Sequence, residues 1–183
     1  MNTEIAHYVD MLLGLGTIIL QVFSLSALGL LFFGPKENFF LDFIKKHFLP
    51  IGFFITFSAV LVSLFYSEIR EFLPCFHCWI ARIFIFSQAF IFAVAWLRKD
   101  KNVIFYSLPL TLYGLADSLY LNFLYYVGEG TAPCDASGVS CVQRLVSEFG
   151  GYISIPMMAM TGFFALLTLL AVAHFYPKQI VVK

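Results

Sequence analysis

Long apolar runs broken by short polar connections set the plan of this chain. Five stretches with little or no charge run roughly over 11–33, 48–68, 76–97, 103–127 and 152–176. Each is close to the ~20 residues a helix needs to cross a hydrocarbon core. Their continuous apolar character, unlike the alternation of barrel strands, predicts a helical bundle with lipid as its main solvent. The connections over 34–47 and 98–102 are short, whereas 128–151 carries Gly128, Gly130, Pro133 and Gly138 and has room for function. Within it Val142, Leu145, Val146 and Phe149 recur at i, i+3, i+4 and i+7, with Gln143, Arg144, Ser147 and Glu148 opposite. That spacing predicts a short amphipathic helix in the membrane interface, ended by Gly150-Gly151; a helix packed on the bundle top is the alternative.

Composition supports the lipid reading, since 61% of the 183 residues are hydrophobic and 12% are charged. A soluble domain of this size could not bury so much apolar surface. The formal net charge is zero, which gives no argument for nucleic acid, but the placement of the charges is informative. If five helices alternate, Lys36, Lys45, Lys46, Arg98, Lys99, Lys101, Lys178 and Lys183 share one side and Arg70, Arg82 and Arg144 the other. The positive-inside rule then puts the N-terminus outside and the C-terminus in the cytoplasm. No Lys or Arg precedes Lys36, so the first stretch lacks a signal peptide's positive start and reads as a retained helix.

In that orientation all four cysteines fall outside or at the outer membrane edge, where disulfides persist. They form two close pairs, Cys75/Cys78 before the third helix and Cys134/Cys141 in the long loop, although four thiols permit three connectivities. Cys75-Phe-His-Cys78 follows Pro74 and opens a helix, where unpaired N–H groups and the macrodipole favour thiolate. Joining such near neighbours removes little chain entropy, so a redox role is expected ahead of a structural one. The loop pair has Gly138 inside it and reads as a staple when taken alone; beside a Cys-x-x-Cys on the same face it reads as an exchange site.

Arg82 lies four residues after Cys78 and seven after Cys75, on the same helix face and one or two turns deeper. A cation there is expected to hold developing negative charge on a thiolate or reduced partner, with snorkelling to the headgroups as the plain alternative. His77 invites a zinc reading, but a second ligand cluster would be needed, so no metal is expected and His77 reads as a tuner of its neighbouring thiols. Asp117, the acid within the fourth stretch, reads either as a neutral group bonded to a neighbouring helix or as part of a proton relay.

The run from Tyr66 through Pro74-Cys-Phe-His-Cys-Trp-Ile-Ala-Arg82, together with Pro133-Cys134 and Phe149-Gly-Gly-Tyr-Ile-Ser-Ile-Pro156, resembles the DsbB/BdbC family of membrane disulfide oxidoreductases. The likeness covers about residues 48–176. It implies an all-α, DsbB-like four-helix transmembrane domain over 48–183, with 1–47 adding an N-terminal transmembrane helix and its cytoplasmic connection. It further implies a thiol:quinone oxidoreductase of the bacterial cytoplasmic membrane that reoxidises an extracytoplasmic thioredoxin-like protein of DsbA or BdbD type and reduces ubiquinone or menaquinone. Carried onto matching positions, Cys134 and Cys141 face the partner, Cys75 and Cys78 face the quinone, and Arg82 is the quinone-site arginine. The competing expectations are a vitamin K epoxide reductase-like enzyme and a membrane scaffold with two structural disulfides.

Overall fold

The computed structural model describes residues 3–35, 37–127, 141 and 143–176. The chain is all-α: α1 (Thr3–Phe33), α2 (Phe39–Lys46), α3 (Phe48–Leu64) with a π-helical extension (Phe65–Ile69), α4 (Phe76–Arg98), α5 (Val103–Val127) and α6 (Ile155–Phe175). By length and composition α1, extended α3, α4 and α6 can cross a bilayer. Helix α5 matches them in length but is more polar, carrying Pro109, Asp117, Asn122 and several tyrosines. This is an all-α membrane protein.

Helices α3 to α6 form the bundle, α3 against α4, α4 against α5, and α6 against both α5 and α3, while α1 packs along α6. A Cβ on Gly52 would stand 2.3 Å from the Phe92 ring, and one on Gly114 2.3 Å from the Phe163 ring. Those two glycines set the close approach of α3 to α4 and of α5 to α6. In a medium without water, polar side chains must find partners inside. Gln88 does so across the α4–α5 interface, donating to Ser107 O and Thr111 Oγ1, both at 2.8 Å, and accepting from Ser107 Oγ at 2.7 Å.

The main hydrophobic core gathers at the end away from Cys75, where Leu41, Ile44, Phe48, Leu49, Phe92, Val103 and Leu166 to Val172 meet. Helix α2 lies within the segment that the sequence pattern leaves as a plain connection. Asn38 caps it by accepting from the Phe40 N–H at 2.9 Å, and Leu41 and Ile44 are buried. Tyr176 ties α6 to this corner, accepting the Asn38 N–H at 2.9 Å and offering its carbonyl to the Lys45 ammonium.

Two further departures from the sequence pattern have physical causes. Helix α1 begins at Thr3, well before residue 11, because Asp10 is not a boundary charge in water; it is buried and bonded inside the fold. The amphipathic helix expected near 142–149 is absent from the described residues 143–149. Val146 is buried and its carbonyl accepts from Tyr125 OH at 3.3 Å, and Glu148 and Ile153 pair as an isolated antiparallel bridge. Phe149, Gly150 and Gly151 take φ of 52°, 70° and 89°, so the chain reverses there. A segment this short nucleates a helix poorly, and tertiary partners for its backbone decide the outcome.

Candidate thiol exchange site

Pro74 and the extended Cys75, the residue that caps α4 with φ −74° and ψ 174°, bring both sulfurs of the Cys-x-x-Cys to one helix start. Cys75 and Cys78 are free thiols with Sγ atoms 3.2 Å apart. The described end of the long loop supplies a third sulfur: Cys141 is in hydrogen-bonding contact with Cys75 and accepts from the His77 backbone N–H. Cys134 lies outside the described residues.

The helix start does not make Cys75 a ready thiolate. The Cys141 contact lowers its pKa, but the bond to Cys78 and burial at 4% exposure outweigh it and hold the thiol at about 11. Cys141 is also pushed up, by its bond to Cys75 and by burial, against the opposing pull of the His77 N–H. Burial disfavours the charged form, and one small space holding three sulfurs accepts one negative charge far more readily than two. At Cys75, in the reduced state, these effects outweigh the helix start's preference for thiolate.

His77 and Asp117, weighed separately in the sequence, meet here: His77 Nδ1 lies 2.7 Å from Asp117 Oδ1, joining the start of α4 to α5. Asp117 Oδ2 is buried with no partner among the described residues. Arg82 turns into the bundle. Its Nε donates to Ser63 Oγ at 2.9 Å, its Nη2 to Ser63 O at 3.0 Å, and its Cζ stands 5.3 Å from the Trp79 ring centroid. A guanidinium has five N–H donors; beyond these two bonds the fork has no hydrogen-bond partner among the described residues.

Cys78, Arg82, Ser63 and Pro74 line an apolar cavity of about 390 Å³, whose walls are completed chiefly by α1, α3 with its π-helical extension, and α6. That size falls in the ~300–1,000 Å³ range of small-molecule sites. Apolar walls that also carry a guanidinium and a thiol suit a largely apolar ligand with a few polar atoms.

The sequence reading missed the groups that pin the far wall. Asp10 Oδ2 accepts from Arg70 Nη1 and Asp10 Oδ1 from Tyr66 OH, both at 3.1 Å, and His7 Nδ1 is 3.1 Å from Glu148 Oε1. The available signal was an acid in an apolar helix, which is costly without a partner; nothing in sequence spacing named the partner. The π-helical turn matters here because its extra residue re-aims Tyr66 and leads into Arg70, whose N–H donates to Phe65 O at 3.1 Å.

A helical membrane protein with clustered thiols at one helix start belongs to the class of membrane thiol–disulfide proteins, and comparison with known proteins narrows this. The chain is 35% identical over 127 residues to "Probable disulfide formation protein C 2" of Bacillus anthracis, covering 69% of this chain and 90% of that protein. It is 36% identical over 121 residues to the "SPbeta prophage-derived disulfide bond formation protein B" of Bacillus subtilis, covering 66% and 80%. It is 33% identical over 122 residues to "Disulfide bond formation protein C" of the same organism, covering 63% and 84%. The chain belongs to the DsbB/BdbC family of membrane disulfide bond formation proteins. No family model matches it, and no solved structure does.

Proposed function

We propose that this protein is a thiol:quinone oxidoreductase that reoxidises an extracytoplasmic thioredoxin-like donor of DsbA or BdbD type, passing electrons through its two cysteine pairs to ubiquinone or menaquinone. The observation that carries this reading is the placement of Cys141 against Cys75 while Cys78 and Arg82 line the apolar cavity. The cysteine end of the bundle faces the outside, and the lysine-rich end, with Lys45, Lys46, Lys99 and Lys101, faces the cytoplasm, as the positive-inside rule requires.

In the working cycle the partner's dithiol reduces a Cys134–Cys141 disulfide and leaves as the oxidised protein. Cys141, having lost its proton to solvent, attacks Cys75 Sγ of a Cys75–Cys78 disulfide; a Cys75–Cys141 bond forms and Cys78 leaves as thiolate. Cys134 then attacks Cys141, restoring the loop disulfide and releasing Cys75. Two electrons now reside on the Cys75/Cys78 dithiol. Held beside Cys78 and Arg82, a quinone would supply the oxidising power, and the 75/78 disulfide would re-form as two electrons and two protons pass to it. Arg82 steadies negative charge at the cavity wall, with Ser63 fixing the plane of its guanidinium. The His77 N–H steadies the Cys141 thiolate.

Purified protein in detergent, given a reduced thioredoxin-like substrate and quinone, tests the reading. Quinone reduction is expected in the wild type and its loss in Cys75→Ser. With Cys134 and Cys141 both replaced by serine, the protein substrate is no longer oxidised, while a small dithiol still drives quinone reduction through Cys75 and Cys78. Cysteine-independent turnover, or none in the wild type, would leave a scaffold with structural disulfides.

A further inference from the structure

The cavity beside Cys78 has a wall that the four-helix bundle does not supply. Leu12, Leu13, Gly16, Thr17 and Leu20 of α1 line it opposite Cys78 and Arg82. Between these faces α1 makes no extensive packing with α3 or α4; it runs along α6. Polar bonds hold it at this distance. Asp10 joins Arg70 and Tyr66 near its start. At the cavity's edge, directly after Leu20, Gln21 donates to Thr161 Oγ1 and accepts from Tyr152 OH, both at 2.9 Å.

The α1 wall offers an oxygen-bearing ring nothing to bond. Its one polar residue, Thr17, spends its hydroxyl on its own helix, donating to Leu13 O at 2.8 Å. Gly16 adds a second observation. A Cβ there would meet no atom within 4 Å, and the same holds for Gly162, which lines the cavity from α6. Glycine is a poor helix former, and no neighbour at Gly16 demands a missing side chain. Both glycines line the cavity, Gly162 buried and Gly16 exposed.

We propose that α1 is the tail-binding wall of the quinone cavity: the ring lies toward Cys78 and Arg82, and the isoprenoid tail lies along Leu13, Gly16 and Leu20, so that the N-terminal helix sets affinity for long-tailed quinones. This rests on the quinone reading above and assigns a role to a helix that lies outside the family's four-helix bundle.

The test fills the open space from α1. Gly16→Phe in the full-length protein adds a ring at a cavity-lining position where a Cβ meets no atom within 4 Å, and Gly16→Leu serves if the larger side chain lowers the folded yield. Quinone extracted from the purified protein is quantified, and KM is measured for a long-tailed quinone and for its tail-less analogue. The expected result is about a tenfold drop in copurified quinone and about a tenfold rise in KM for the long-tailed form. KM for the tail-less form should change less than twofold, with the 75/78 disulfide and thermal stability intact. Wild-type quinone content and KM in both variants would overturn the assignment, as would equal loss for both quinones. Failure of the underlying reading looks different, because the wild type would then reduce neither quinone.

Discussion

At the scale of single residues, Arg82 and the His77–Asp117 pair are the charged and polar groups set beside the Cys-x-x-Cys. Because Arg82 bonds Ser63 through Nε and Nη2 together, lysine cannot copy its planar fork. Arg82→Lys is expected to fold, keep the 75/78 disulfide and weaken apparent quinone affinity by roughly 1–3 kcal/mol, the worth of one charge-assisted bond. Quinone titration of the steady-state rate, with thiol labelling as the control, checks this. His77→Ala leaves Asp117 with both oxygens unsatisfied, since Oδ2 already has no partner among the described residues. A double-mutant cycle with Asp117→Ala, read by thermal unfolding in detergent, should return a coupling of about 1–3 kcal/mol. A third expectation concerns pH. With Cys75 pushed up to about 11, the reduced thiol is protonated throughout the neutral range. Its alkylation, followed by mass spectrometry, should rise about tenfold per pH unit and level off only near that value. A plateau below pH 8 would mean the buried thiol is already charged.

At the scale of elements, the Asp10 link decides whether α1 stays in place. Arg70→Ala leaves Asp10, 5% exposed, with Tyr66 alone. The expected loss in unfolding free energy is about 2–3 kcal/mol, below the ~3–5 of a fully buried pair because the Arg70 side chain keeps 18% exposure. Asp10→Asn, which removes the buried charge and keeps the shape, should lose less; the reverse order would mean that Arg70 acts through packing. Apart from the early start of α1 and the short α2, the helices were legible in the sequence to within a few residues, because lipid tolerates no unsatisfied backbone and long apolar runs have little choice of structure. The segment before Ile153 was not. Apolar spacing at i, i+3, i+4 and i+7 also arises when, among the described positions, Val146 alone is buried, under Tyr125, and Phe149 turns back at positive φ. Spacing reports which residues avoid water, not which backbone carries them.

For the whole molecule, the two ends of the bundle differ in kind. One end is closed by α2 and by the core around Phe92 and Leu170; the other holds the cavity and the three described sulfurs. The charge asymmetry and cysteine spacing pointed to that polarity. That Cys141 meets Cys75, and that α1 walls the cavity, depended on contacts between residues far apart in the chain. The contact between Cys141 and Cys75 also has a kinetic consequence. A sulfur held beside its target by Val146 and the Glu148–Ile153 bridge reacts at an effective concentration of roughly millimolar or above. Free thiols in solution compete by their actual concentration, so the reduced loop pair should attack the Cys75–Cys78 disulfide before a small thiol can. Turnover with a protein substrate is therefore expected to fall less than twofold in about 1 mM glutathione. Val146→Asp, which loosens the tether, should make the same reaction leak, seen as glutathione disulfide formed, for each quinone reduced, at the expense of oxidised protein substrate.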